Sequence, residues 1–303
     1  MSTNSSLPSQ RAYRTQRLAD RLMHAIFGVI ASSTVILLIG IFFFLLKSGA
    51  GLFREISPVA FFGTVWNPNS ISSVSWGIVP LALSTVMIAF GALVFAVPFG
   101  VALALYLAYL ASRRTREILK PVIEMIAGIP SVVLGLIGLL FLAPFVARVF
   151  GSSNGLNALT ASLLVGITVV PTIASLCEDA LSSVPSRLME ASLALGATKW
   201  QTIRRVLLPS AASGMLAAVM LGLGRAIGET MVVLMVAGNS LAMPHGYLDP
   251  VRPMTATIAI EIREVVVGDL HWQALFAVGL SLFIATFILN TLTDFFLYRQ
   301  QNL

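Results

Sequence analysis

Six apolar stretches, at about 23–46, 76–110, 122–147, 155–177, 210–237 and 272–297, constrain this 303-residue chain more than any other feature. A hydrocarbon core about 30 Å thick is crossed by roughly 20 helical residues. Within lipid, only helices and closed barrels satisfy every backbone hydrogen bond. Each stretch is therefore read as a helix, and the sequence predicts an all-α polytopic membrane protein with six transmembrane helices. Composition agrees: 57% of residues are apolar and 11% charged, against about 25% charged in a soluble domain.

The second stretch is long enough for two crossings, with a break at Val97-Pro98-Phe99-Gly100. Loop charge decides between the alternatives. If the stretch is one span and the amino terminus is cytoplasmic, one side collects Arg11, Arg14, Arg17, Arg21, Arg113, Arg114, Arg116, Lys120, Arg187, Lys199, Arg204, Arg205 and Arg299, thirteen of the nineteen basic residues. The other side keeps Lys47, Arg54, Arg148, Arg252 and Arg263, and the excess of cytoplasmic positive charge favours one span. Pro98 and Gly100 then mark a kink. The apolar run near the amino terminus is too long for a signal-peptide core and lacks an Ala-x-Ala-like cleavage signal. These placements divide the chain into a cytoplasmic tail (1–22), a first helix with its outer loop (23–75), a membrane core (76–298) and a short cytoplasmic tail (299–303).

Other chemistries find little support. Cys177 is the single cysteine, and His24, His245 and His271 are too scattered for a metal cluster. No G-x-x-x-x-G-K-[ST] phosphate loop is present, so the chain has no nucleotide site of that type. No clear internal repeat supports a secondary carrier built from two similar halves.

The longest inner loop, residues 178–209, reads EDALSSVPSRLMEASLALGATKWQTIRRVLLP. Pro185 suits the first turn of a helix and Gly196 its left-handed exit. Thr198 and Gln201 form a T-x-x-Q capping box for a second helix that stops before Pro209. Leu188, Ala191 and Leu195 recur at helical spacing on a small-residue surface. Periodicity alone leaves two readings open: a helix lying on anionic lipid beside Lys199, Arg204 and Arg205, or a knob for a groove in another protein. The spacing is more specific. Glu190, Ala191, Gly196, Leu208 and Pro209 resemble the EAA loop of ABC importer permeases, with Ser192 in place of the second alanine and Val206 in place of the isoleucine. The resemblance implies a type I (MetI-like) permease core whose loop docks on a separate ATPase subunit, where ATP and Mg would act; this chain itself would hold no cofactor.

The second signal is GLGRAIGETM, residues 222–231, inside an apolar run. Arg225 and Glu229 are four residues apart, share a helix face and can contact one another. A charge at the membrane midplane costs roughly 2.5–3.5 kcal/mol on insertion scales and usually faces a bundle interior or a wet path. Two readings remain: the pair neutralises itself and holds the bundle, or Arg225 offers a forked donor to an oxyanion while Glu229 holds it between passages. Gly222, Gly224 and Gly228 argue against a purely static role, since they weaken the helix and allow close approach.

The segment 221–231 resembles the fifth span of PstC-type phosphate permeases, and the likeness extends to GIPSVVLGLIGLLFLAP at 128–144 and in kind onward from the second span. It implies phosphate translocation roles for Arg225 and Glu229, and Thr230 followed by Met231 favours phosphate over sulfate or molybdate, whose permeases tend to carry an aromatic there. Thr230 joins the pathway set. Ser131 after Pro130, and Thr172 after Pro171, are weaker pathway candidates, because packing filled by neighbours accounts for such prolines as well. Glu124 is expected to pair with Lys120 at the inner interface. The family further implies a second, PstA-like permease chain, a dimer of PstB-like ATP-binding subunits, an extracytoplasmic PstS-like phosphate-binding protein, an inner-membrane location with both termini cytoplasmic, and alternating access. The rival functions are a permease for another oxyanion and an ion-coupled secondary anion carrier.

Overall fold

The structure, a computed structural model, describes residues 10–68 and 74–301. The described residues are helical with one two-stranded ribbon, Trp66–Asn67 against Ser75–Trp76, on the side that the loop charges predict to be outer. Among the described residues, five helices are long and apolar enough to cross a membrane alone: Leu22–Glu55, Val79–Leu110, Ser131–Phe150, Ala158–Ser182 and Leu270–Thr293. The remaining crossing is fifth in chain order and is broken. Its Ala212–Gly228 helix meets Lys199–Ser210 at a 70° bend at the inner end, and its outer end continues as a separate helix, Met231–Val236.

The second apolar stretch is one span, since its helix runs through Pro98 and ends in a π turn at Tyr106–Leu110. The fourth span likewise runs unbroken through Pro171. Two expected spans are divided. The stretch predicted at 122–147 separates into a lead-in helix, Arg113–Ala127, and the crossing that starts at Ser131. The physical cause is Gly128-Ile129-Pro130: Pro130 biases Ile129 away from helical geometry and has no N–H to continue the ladder. The stretch predicted at 210–237 breaks at Glu229, whose backbone is extended (φ −66°, ψ 129°). The first helix is longer than expected, beginning at Gln10 and running to Ala50.

The core lies between the second and fourth spans, which meet through Ala89, Ala92, Ala96 and Ala104 on one side and Ala161, Val165, Val169 and Cys177 on the other. Small residues let backbones approach where lipid supplies no hydrophobic drive between helices. Ile173 is the tightest point. A Cβ on Gly100 would lie 2.8 Å from its Cγ2, and one on Gly222 the same distance from its Cγ1, so three spans close on this side chain only because both positions are glycine. The first span packs mainly on the last, with Phe42 on Phe283 and Phe44 on Phe276. Its large apolar side chains otherwise face outward, as lipid contact requires.

A second cluster caps the outer side around Leu52, Phe61, Trp66, Trp76 and Leu275. The short helix Met254–Glu261 returns toward the bundle, where the Met254 N–H donates to Thr85 Oγ1 at 3.0 Å. Tyr247, in the outer loop, donates its hydroxyl to the Met87 carbonyl at 3.0 Å, and burial pushes that hydroxyl above its usual titration range.

Candidate functional site: a broken span and its coupling loop

Arg225 stands on the last turn of the Ala212–Gly228 helix. Its Nη1 donates to Thr172 Oγ1 at 3.0 Å, about halfway along the fourth span. The packing of Ile173 on Gly222 sets this contact: it brings Thr172, the next residue, against the next turn of the fifth span. Gly224 and Gly228 have open space where a side chain would project, and Arg225 is exposed, so this face of the fifth span is uncovered within the chain.

The expected Arg225–Glu229 contact does not form. The helix ends at Gly228, so the four-residue spacing no longer puts the two side chains on one face. Glu229 instead folds back on its own chain. Its Oε1 accepts the Thr230 N–H at 3.2 Å and the Val232 N–H at 3.4 Å, filling orphan donors at the start of Met231–Val236. Thr255 donates to the Glu229 carbonyl at 2.9 Å, and Thr230 Oγ1 donates to the Gly228 carbonyl at 3.2 Å. The break is thus held by side chains on both sides. Of the sequence candidates, Thr172 alone is joined to Arg225 by a hydrogen bond among the described residues.

Ser131 begins the crossing helix of the third apolar stretch. This helix runs beside Met231–Val236, since Gly135 faces Met235 Sδ and Gly138 faces Val236. The register places the break at 128–130 level with the break at 229–230. Two interrupted spans lie side by side, and Ser131 and Thr230 stand at their restarts.

The loop 178–209 forms the two expected helices, but the second runs on through Pro209 to Ser210, since Pro209 stands in the first turn of the segment Leu208–Ser210, where its missing N–H is not needed. Pro185 precedes the helix Ser186–Ala194, and Gly196 leaves it with φ +83°, a left-handed conformation that L side chains rarely adopt. Both bonds of the Thr198–Gln201 capping box are present. Glu190, Ala191, Gly196 and Pro209 are exposed, together with Leu195 and Trp200, so the knob stands free of the bundle. Ser192 joins the two arms of the loop through its hydroxyl, 2.9 Å from Thr202 Oγ1, which an alanine could not do. Leu207 is buried and Leu208 packs on the core, while Pro209 precedes the 70° bend into the fifth span.

Glu124 is exposed and does not pair with Lys120, because Lys120 is held by Glu178 at 2.6 Å and Asp179 at 3.3 Å. Sequence reasoning missed this inner cluster and also an outer one. Glu261, almost fully buried, accepts from Trp66 Nε1 at 3.2 Å, pairs with Arg252 at 3.0 Å and lies 2.9 Å from His271 Nε2. The signal available was an acidic residue in an apolar setting, but its partners lie far away in the chain.

A family model described as the binding-protein-dependent transport system inner membrane component matches residues 96–301. The chain is 35% identical over 251 residues to a probable ABC transporter permease protein, YqgH, of Bacillus subtilis, covering 82% of this chain and 81% of that one. It is 34% identical over 319 residues to the phosphate transport system permease protein PstC of Mesorhizobium japonicum, covering 97% and 96%. Among solved structures, the chain resembles a methionine ABC transporter, MetNI, in inward-facing conformations, with a TM-score of 0.55 at 23% identity over 74% of this chain and 94% of that one. It also resembles a bacterial ABC transporter involved in import of the polysaccharide alginate, with a TM-score of 0.61 at 15% identity over 96% and 99%. At these identities the structural likeness concerns the fold.

Proposed function

The chain belongs to the family of binding-protein-dependent transport system inner membrane components, and from that premise we propose that it is the permease subunit of an ATP-driven importer carrying inorganic phosphate across the inner membrane. Relatives named phosphate transport system permease protein align with nearly the whole chain, which supports the choice of cargo. The observation that carries the reading is Arg225: a guanidinium at mid-span, on an uncovered face, bonded to a neutral hydroxyl rather than to a carboxylate. A charge so placed has a vacancy for an anion, and its fork matches tetrahedral oxyanions.

In this reading a second permease chain covers the face that exposes Arg225, Gly224 and Gly228, and the path runs between the two chains. Thr172 holds Arg225 when no cargo is present. Ser131 and Thr230 add hydroxyls near the two breaks, and Glu229 acts by holding its own break open. An extracytoplasmic binding protein delivers phosphate to the outer side. On the inner side, where both termini lie, the exposed knob with Glu190, Ala191 and Gly196 docks on a separate ATP-binding subunit that holds ATP and Mg. ATP moves the spans only through its different coupled binding energy in the two conformations.

The test is uptake of labelled phosphate, with sulfate and molybdate as controls, in cells that lack their own high-affinity system and carry this chain with its partner subunits. Arg225→Gln at equal membrane abundance should lower phosphate uptake at least 10-fold. Uptake that survives the substitution refutes the role of Arg225, and uptake of another oxyanion alone refutes the cargo.

A further inference from the structure

The inner end of the fourth span carries a buried carboxylate that the translocation path does not use. Glu178 is fully buried four residues before Ser182, where the span ends and the coupling loop begins. It accepts from Arg116 Nη2, from Lys120 Nζ at 2.6 Å and from Ser182 Oγ at 3.2 Å. Arg116 also reaches Ser182 Oγ at 3.2 Å, and Lys120 reaches Asp179 at 3.3 Å. The two cations are one turn apart on Arg113–Ala127 and so point the same way. Beside them Tyr109, in the π turn that ends the second span, donates to the Leu181 carbonyl at 2.8 Å.

Apolar packing does little to hold the lead-in helix in place. Ile123 is its only buried residue, and an apolar cleft of about 240 Å³, lined by Phe95, Phe99, Ile123, Ile126, Val170 and Pro171 among others, opens between it and the second and fourth spans. The loop is continuous with the fourth and fifth spans, and this cluster ties the fourth span's end, where the loop starts, to the lead-in helix; the crossing helix from Ser131 onward touches Leu164 and Met231–Val236 instead. Glu178 is itself fully buried, so parting it from both cations leaves a buried charge unpaired, which costs more than parting apolar surfaces that lipid can wet.

We propose that Glu178 is a positioning residue for transport: its pairing with Arg116 and Lys120 passes displacement of the coupling loop to the lead-in helix and so to the third span. This rests on the reading of the chain as an ATP-driven permease. With the clamp intact, the breaks at 128–130 and 229–230 move together when the loop moves. Without it, the loop drives the fourth and fifth spans alone.

The complete importer in lipid vesicles provides the test, with phosphate uptake and ATP hydrolysis measured on the same preparation. Glu178→Gln removes the charge while keeping the shape, and its former partners, 41% and 34% exposed, can turn to water, so assembly should survive. Phosphate carried per ATP hydrolysed should fall at least 10-fold, with hydrolysis itself within about twofold of wild type. Glu178→Asp should recover part of the loss. Lys120→Gln, on the exposed side of the cluster, should lower the ratio severalfold and decides the matter if Glu178→Gln does not assemble. A wild-type ratio in the variants that assemble overturns the clamp.

A second readout does not depend on cargo. On trapping with ATP and vanadate, amide exchange in residues 113–130 should change in wild type but not in Glu178→Gln, while residues 186–210 respond in both. An equal response of 113–130 in both proteins also overturns the clamp. Absence of ATP-dependent phosphate uptake in wild type, with this exchange pattern present, refutes the choice of cargo and leaves the clamp standing.

Discussion

Gly222→Ala should damage the bundle and the candidate site together, although it touches neither Arg225 nor Thr172. Its new methyl carbon would lie 2.8 Å from Ile173 Cγ1 and 2.9 Å from Cδ1, whereas ordinary contact begins at 3.4 Å, so the fourth and fifth spans must part by about 0.6 Å. Ile173 cannot retreat, since Gly100 of the second span abuts it from the other side. The same displacement one turn along stretches the 3.0 Å Arg225–Thr172 bond to about 3.6 Å, beyond hydrogen-bond range. Overpacking of this kind costs about 1–3 kcal/mol. The lost hydrogen bond adds little, because Arg225 is exposed.

Ile173→Ala removes the two carbons nearest the new methyl, leaving Val169 Cγ1 at 3.1 Å, and by itself costs about 2–5 kcal/mol through the cavity it leaves. In that background Gly222→Ala should cost much less, with only the Val169 contact left to relieve, giving a coupling energy of about 1–2 kcal/mol in the double-mutant cycle. The assay is unfolding of the four proteins in lipid nanodiscs, followed by tryptophan fluorescence, with phosphate uptake measured in parallel. Equal costs of Gly222→Ala in both backgrounds would refute the three-span contact and the route by which it places Arg225.

Gly196→Ala forces a side chain onto a backbone at φ +83°, at a cost of about 1–2 kcal/mol, and should re-aim the helix Ser186–Ala194. Uptake should fall while permease abundance in the membrane stays at wild-type levels, and intact uptake would count against the knob as the ATPase contact. Glu261→Gln leaves Arg252, mostly buried, without its counter-charge and disturbs the contact with His271. It should lower stability by about 3–5 kcal/mol, the usual cost of breaking a buried pair, read as a lower unfolding midpoint of the same nanodisc samples.

What was legible in the sequence depended on how local each cause is. Span number, the capping box and the left-handed glycine are set by residues within a few positions of each other, and they appear in the fold where the sequence puts them. The two breaks were local too, but an apolar run masks them: Pro130 was read as a packing defect and Glu229 as a member of a continuous helix face. Charge partners were the least legible. Glu178 finds its cations 58 and 62 residues away, and Trp66 reaches Glu261 across 195. Arg225, given a partner four residues along by helical spacing, finds one 53 residues back in another span.

Three polar centres at three depths show why the middle one is the functional candidate. The inner carboxylate, Glu178, has two cations and a hydroxyl; the outer one, Glu261, has an arginine, a histidine and an indole. Both are satisfied by several donors, most of them from distant parts of the chain, as a buried charge must be if it is not to cost more than it contributes. Among the described residues Arg225 has one neutral acceptor for its forked group, and the nearest acid in sequence, Glu229, spends its carboxylate on backbone N–H groups. A bundle built only for stability would have closed that deficit, since it had the carboxylate within a turn. By extending the chain at Glu229, the fold keeps that carboxylate from Arg225, and in the proposed import reading a passing anion takes its place.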